Sequence, residues 1–239
     1  MLQWTNLAVS PDDPSVGIDG AAAGLRQIAD YALELGRQRQ RHPTDDLTSV
    51  LMHAEVDGER LTGKEFANFF ILLLSAGNET TRNATSHGLR LLTRHRDQRR
   101  IWFDDFDAHA ATAVEEIVRV EPLISNMCRV LTRDVVLHGV TLHAGEKVAL
   151  WYPSANQDET TFDEPDRFDV RRPLHPQQVG YGAGGPHFCL GANLARREMT
   201  VIFDEIRRRT PDLATTGEPE RVVSMALNAI RTLPASIRP

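Results

Sequence analysis

One cysteine, Cys189, stands between a glycine-rich loop, Gly180-Tyr181-Gly182-Ala183-Gly184-Gly185, and a helix-forming run from Leu190 to Arg209. A thiol at a helix N-terminus faces unpaired N–H groups and the positive end of the helix dipole. Both favour the thiolate, the form of sulfur that binds a metal. The glycines let bare backbone approach a large ligand, and their N–H groups can hydrogen-bond the sulfur and so tune a metal–thiolate bond. A lone cysteine is ordinarily a small buried apolar residue. What distinguishes this one is the surrounding pattern Gly185-x-His187-x-Cys189-x-Gly191, followed by Ala192 and Leu194-Ala195-Arg196.

Two further groupings carry chemistry. Ala76-Gly77-Asn78-Glu79-Thr80-Thr81 lies inside a long apolar-faced helical pattern. Glycine costs about 1 kcal/mol relative to alanine in a helix interior, and Glu-Thr-Thr is an odd continuation of so apolar a face. The segment therefore implies polar chemistry close by, the plain alternative being the solvated end of an amphipathic helix. Glu116 and Arg119 are three residues apart, so on a helix they share a face and can pair.

The elements that must position these groups follow from periodicity and stop signals. Met1–Gly17 is turn-rich, with Pro11, Asp12, Asp13 and Pro14. A helical pattern then runs from Ile18 until His42-Pro43 stops it, and Thr44-Asp45-Asp46 opens a short helix to about Ala54. Asp57-Gly58 marks a tight turn. Thr62-x-x-Glu65 is a capping box that predicts one long helix to about Leu92. Arg90, Arg94, Arg96, Arg99 and Arg100 form a basic segment read as solvated surface. Ala108–Val120 is helical and ends at Glu121-Pro122. Leu123–Ala149 changes to short β-rich runs with turns at His138-Gly139 and Ala144-Gly145. Leu213–Pro239 is expected to be strands and loops, and the class is mainly α with small β-sheets.

The bounds are those of a globular chain. Its 239 residues are 41% hydrophobic and 25% charged, enough for a real core. A formal net charge of −6, with no basic stretch rich enough to track phosphates, argues against nucleic acid as a partner. The longest apolar run, Phe69–Leu74, is far shorter than the roughly 20 residues of a membrane span. Two cysteines, Cys128 and Cys189, and no signal-peptide pattern at Met1 suggest a reducing, cytoplasmic setting. The histidines show no metal-ligand spacing and no serine sits in a nucleophile elbow.

The cysteine loop resembles the heme-ligand loop of the cytochrome P450 superfamily. The family usually has an aromatic residue seven positions before the cysteine, where this chain has Gly182, with Tyr181 one step earlier. That spacing looks like bacterial members resembling actinobacterial steroid side-chain hydroxylases, whose loop is one residue longer. The resemblance implies heme b, with Cys189 as the axial ligand of its iron, and Gly185, His187 and Gly191 as part of the cofactor-binding loop. Ala76-Gly77-Asn78-Glu79-Thr80 resembles the oxygen-side helix. By that likeness Glu79 and Thr80 are an acid–alcohol pair delivering protons, and Ala76 and Gly77 line the oxygen groove.

Glu116-Ile117-Val118-Arg119 resembles the family's Glu-x-x-Arg motif, whose third partner is implied to be Arg167, in Glu164-Pro165-Asp166-Arg167-Phe168, completing a structural network. Arg129 holds the position of the arginine that pairs with a heme propionate, and an arginine fork suits a carboxylate. Leu123–Met127 would pass beside the heme edge and touch substrate.

The implied activity is monooxygenation: insertion of one oxygen atom of O2 into a C–H bond of a small hydrophobic substrate such as a steroid or fatty acid. A ferredoxin-type donor would supply electrons, docking through Arg94, Arg99, Arg196 and Arg197. Residues 1–239 are then expected to be the C-terminal portion of the P450 fold, a partial domain without the family's N-terminal helices. That implies exposure of the face Phe66, Phe69, Phe70, Ile71, Leu72, Leu73 and Leu74, and no activity of this chain alone. Two alternatives are a non-catalytic heme-binding remnant and a nucleotide-binding protein using Gly180, Gly182 and Gly185. For the latter the context fails, because Pro173, Pro176, Gln177 and Gln178 precede the glycines where a strand is needed, and Pro186 delays the helix.

Overall fold

The computed structural model describes residues 1–237 and divides into two compact units, Met1–Thr80 and Thr81–Pro239. The first unit is helical. It contains α1 (Leu2–Ala8), α2 (Gly17–Arg41), α3 (Leu47–His53), the hairpin β1 (Glu55–Val56) and β2 (Glu59–Arg60), and the start of α4 (Gly63–Arg94). The stop and start signals act locally. His42 leaves helical geometry, and the Asp46 carboxylate caps α3 by accepting from the Ser49 N–H at 2.7 Å. Asp57 and Gly58 both have positive φ, 53° and 82°, as a two-residue hairpin turn requires. The Thr62 hydroxyl accepts from the Glu65 N–H at 3.2 Å and the Glu65 carboxylate accepts from the Thr62 N–H at 2.8 Å, so the capping box forms in full.

The opening of the chain departs from expectation. The segment expected to be turn-rich contains α1, because its apolar residues precede the Pro11–Pro14 turn and pack on α2. Gly24 makes that approach possible: a Cβ there would stand 2.7 Å from the Trp4 carbonyl oxygen. The apolar face of α4 is also better covered than expected. Phe66 is buried with Ala32, Met52 and Ala67, and Phe70 packs against the same cluster, whereas Leu72 is exposed.

The second unit holds the remainder of α4, then α5 (Arg96–Asp104), α6 (Phe106–Val120), α7 (Tyr152–Asn156) and α8 (Ala192–Arg209). Its strands form antiparallel pairs: β3 (Asn126–Val130) with β6 (Lys147–Trp151), β4 (Val135–Leu137) with β5 (Val140–Leu142), β7 (Ala214–Thr215) with β10 (Ala235–Ser236), and β8 (Glu220–Arg221) with β9 (Ile230–Thr232). The basic segment after Arg94 is not mere solvated surface. It is an amphipathic helix, α5, whose inner face buries Gln98 and Trp102. Trp102 stacks on Phe106 at 5.3 Å and meets Phe203 at 5.0 Å.

This aromatic cluster, with Val114, Ile117 and Met199, clamps α8. Gly88 sets how closely the helices approach, since a Cβ there would lie 2.6 Å from Phe203 and 2.8 Å from Ile117. Among the described residues no helix is long and apolar enough to cross a membrane.

Candidate functional site

Helix α8 starts at Ala192 with Gly191 as its N-cap, so Cys189 sits two residues before the cap rather than at the head of a helix beginning at Leu190. Its position is fixed by the loop. The Cys189 N–H donates to the Tyr181 carbonyl at 2.9 Å, and the Phe188 N–H to the Gly185 carbonyl at 3.1 Å. Gly182, Gly184 and Gly185 all have positive φ, a conformation that side chains resist. Gly180 is glycine for a different reason: a Cβ would lie 2.7 Å from Val118, so the loop could not seat against α6.

The outcome is an exposed thiol among exposed apolar side chains, Phe188, Leu190 at 82% and Leu194 at 62% exposure. Cβ atoms at Gly184, Gly185 and Gly191 would meet nothing within 4 Å. An apolar surface with open space around a free thiol fits a large, flat, apolar group bound through sulfur.

Behind the loop lies a polar support that the motif did not reveal. The Arg196 Nε donates to Glu115 at 2.6 Å, its guanidinium lies 4.5 Å from the Tyr181 ring centre, and the Gln178 amide donates to the other Glu115 oxygen at 2.8 Å. Burial, reinforced by the Glu115 charge, pushes the Tyr181 phenol well above its ordinary range. Burial alone would lower Arg196, but its hydrogen bond to Glu115 and the neighbouring negative charges, that of Glu115 foremost, together outweigh this and raise it.

Glu116 and Arg119 pair in two-point contact, at 2.7 and 2.9 Å, almost wholly buried. The third guanidinium is not that of Arg167. Arg172 Nε lies 3.1 and 3.0 Å from the two Glu116 oxygens, and the Asp169 N–H donates to the same carboxylate at 3.0 Å. Arg167 contributes only its backbone carbonyl, which accepts from Arg119 at 3.0 Å; its side chain turns outward to Glu164. The reason is the turn between them, which carries the Arg167 side chain away and returns the chain so that Arg172 meets Glu116. Arg119 also donates to the carbonyls of Asn156 (2.8 Å) and Pro165 (2.7 Å). The Asn156 side chain accepts from the Val179 N–H at 2.8 Å, which links the network to the start of the cysteine loop.

The other candidate residues are placed as follows. Arg129 is on β3, where its guanidinium donates only to the neighbouring Cys128 carbonyl and meets no carboxylate among the described residues. His187 is exposed on the loop. In the first unit, the Thr80 hydroxyl donates back to the Ala76 carbonyl at 2.7 Å. Glu79 is buried, and the Asn6 amide nitrogen, in the orientation that satisfies both groups, donates to its Oε1 at 2.5 Å. Ala76 and Gly77 are exposed, and a Cβ at Gly77 would meet nothing.

Of the arginines expected to dock a donor, Arg94 pairs with Glu218, Arg99 donates to the Leu213 and Pro211 carbonyls, and Arg196 is committed to Glu115. Arg197 is exposed. The residues before the Gly180-x-Gly182-x-x-Gly185 sequence form no strand, and no helix opens until Ala192, so the dinucleotide-binding context is lacking.

Residues 110–209 match the family model of cytochrome P450, and the chain superposes on solved members of that family. The chain has the fold of the C-terminal part of solved cytochrome P450 structures. It is 50% identical over 238 residues to the methyl-branched lipid omega-hydroxylase of Mycobacterium tuberculosis, covering 99% of this chain and 55% of that relative. It is 40% identical to the steroid C26-monooxygenase of Rhodococcus jostii, over 97% of this chain and 48% of the relative. A cytochrome P450 of Mycobacterium marinum, solved in complex with pseudoionone, is 39% identical and superposes with a TM-score of 0.93, over 98% of this chain and 57% of that one. The chain thus spans about half the length of the curated relatives it matches.

Proposed function

We propose that this chain is part of a heme-thiolate monooxygenase acting on a small hydrophobic substrate of the lipid or steroid class, with residues 1–239 a contiguous part of one P450 domain. The observation that carries this reading is the exposed Cys189 thiol, presented among Phe188, Leu190 and Leu194 two residues before the N-cap of α8. The half-length relatives named as a lipid hydroxylase and a steroid monooxygenase support it.

Heme b, when bound, supplies the dioxygen chemistry, and the overall conversion takes a C–H bond, O2, two electrons and two protons to an alcohol and water. The chain's own residues would do the rest. Cys189 would hold the iron as thiolate, whose electron donation favours O–O cleavage. Gly185 and Gly191 would leave backbone room at the cofactor face, His187 would be part of the same cofactor-binding loop, and Arg129 would hold a propionate. Arg129, with no carboxylate partner of its own, suits that task. Glu79 and Thr80 would move protons to the oxygen side, with Ala76 and Gly77 leaving space for O2. The Thr80 hydroxyl would have to turn from the Ala76 carbonyl to donate outward. Glu116, Arg119 and Arg172 would keep the cysteine loop seated, through Asn156.

Leu123–Met127 would touch the substrate. A ferredoxin-type donor in the cytoplasm would dock on the cysteine side, with Arg197 as the cation most available to an acidic partner. The test is turnover of a methyl-branched long-chain fatty acid by the full-length enzyme under isotopically labelled O2. One labelled oxygen atom in the alcohol product supports the reading, and label absent from the product contradicts it.

A further inference from the structure

Helix α4 buries a histidine that none of the foregoing uses. His87 has no exposed surface. Its Nε2 lies 2.8 Å from the Asn228 carbonyl, and because a carbonyl only accepts, that nitrogen carries the proton. Nδ1 has no hydrogen-bond partner and faces Glu121 Oε2 at 3.5 Å. The same carboxylate accepts from Arg90 at 2.6 Å and from the Asn228 amide at 2.9 Å, while Arg221 donates to the Asn228 side-chain oxygen.

Asn228 is also where the turn between β8 and β9 joins the strand that follows α6. Its N–H donates to the Leu123 carbonyl at 2.7 Å. The Ser125 N–H donates to the Ala226 carbonyl at 2.7 Å, and the Asn126 amide to the Met225 carbonyl at 2.8 Å. Ile124 and Leu227 are bridged between these contacts. The turn and the segment Leu123–Asn126 are therefore sewn together, and the seam is anchored to the helices through the Asn228 carbonyl, which His87 serves, through the Asn228 amide on Glu121 and through the Ile230 N–H on Asn83.

We infer that His87 is a positioning residue for the segment Leu123–Met127, acting through Asn228. This rests on the reading above that Leu123–Met127 touches substrate. A non-donating side chain at position 87 leaves the carbonyl of the half-buried Asn228 unserved, which a small shift of the turn toward water would relieve, moving Leu123 and Ser125 with it. Burial holds the imidazole below its ordinary value, with Arg90 and Arg221 pushing the same way and Glu121 and the Asn228 carbonyl pulling against them. The ring is accordingly neutral at neutral pH and serves as a fixed donor.

The test uses the full-length heme enzyme, titrated with a methyl-branched long-chain fatty acid and separately with imidazole, which ligates the iron without needing the Leu123–Met127 wall. His87→Leu is expected to weaken fatty-acid binding by about tenfold while imidazole affinity stays within about twofold of wild type. His87→Gln, which keeps an N–H donor, is expected to return fatty-acid affinity to within about twofold. Unchanged fatty-acid affinity in His87→Leu, or His87→Gln as weak as His87→Leu, overturns the inference.

Should His87→Leu fail to load heme, His87→Gln decides: with a donor kept at position 87, fatty-acid affinity within about twofold of wild type supports the inference, and affinity about tenfold weaker with imidazole binding unchanged overturns it. A wild-type enzyme that responds to imidazole and not to the fatty acid overturns the substrate reading itself.

Discussion

Arg172, and not Arg167, holds Glu116: its Nε lies 3.1 and 3.0 Å from the two carboxylate oxygens, while Arg167 turns its guanidinium outward to Glu164. The two arginines are five residues apart and chemically identical, yet their surroundings separate their worth. Without Arg172, Glu116 keeps Arg119 but loses one buried charge-assisted contact, and such a hydrogen bond to a charged group is worth about 1.5–3 kcal/mol, whereas exposed pairs contribute little. Arg172→Ala should therefore lower unfolding free energy by about 1.5–3 kcal/mol, and Arg167→Ala should change it little. Urea unfolding of the two variants checks this, and equal losses would refute the assignment.

Gly180→Ala tests how the cysteine loop is seated. The added methyl would come within 2.7 Å of Val118 and 2.9 Å of the Gln178 oxygen. Overpacking of this kind costs about 1–3 kcal/mol. Heme affinity should fall with stability, because the loop that presents Cys189 must lift from α6. A variant with wild-type melting temperature and heme content would show that the loop seats elsewhere.

How much of this was legible in the sequence depended on whether a feature is local. The Thr62–Glu65 capping box, the Asp57-Gly58 turn and the proline-delimited end of α6 are set by residues within a few positions of one another, and each forms as the sequence implies. Helix α5 was hidden because its three arginines outweigh a buried face of only Gln98 and Trp102. Helix α1 was hidden by the prolines after it. Which arginine reaches Glu116 depends on the path of the turn between 167 and 172, and the support of Tyr181 by Arg196 and Glu115 joins residues 81 positions apart. No local pattern encodes either.

Tyr181 offers a test by pH. Its hydroxyl is buried without a hydrogen-bond partner, and burial raises its pKa above the ordinary value of 10.0. The native state therefore keeps the phenol proton while the unfolded state loses it above about pH 10. The stability present below that pH declines as pH rises through it. Tyr181→Phe keeps the ring under Arg196 and removes both the orphan hydroxyl and this decline. It should be as stable as wild type at neutral pH, or more stable by up to about 1 kcal/mol, and measurably more stable above pH about 10. Denaturation series across that range decide it, and a loss of stability at neutral pH would show that the hydroxyl has a partner after all.

Thr80→Ala in the full-length enzyme should preserve heme and substrate binding and divert electrons from product to peroxide. Proton transfer by a positioned side chain contributes about 10²–10⁴-fold, so the diversion should be large. The quantity to measure is peroxide released per electron consumed. An unchanged ratio would remove Thr80 from the proton path.

The central claim is that Cys189 is the thiolate ligand of a heme iron, and the carbon monoxide difference spectrum of the reduced full-length protein tests it most directly. The wild type should give the strongly red-shifted Soret band of a thiolate-ligated heme, and Cys189→Ser should lose that band, because a neutral hydroxyl replaces an anionic sulfur. Retention of the wild-type band in Cys189→Ser would contradict the account.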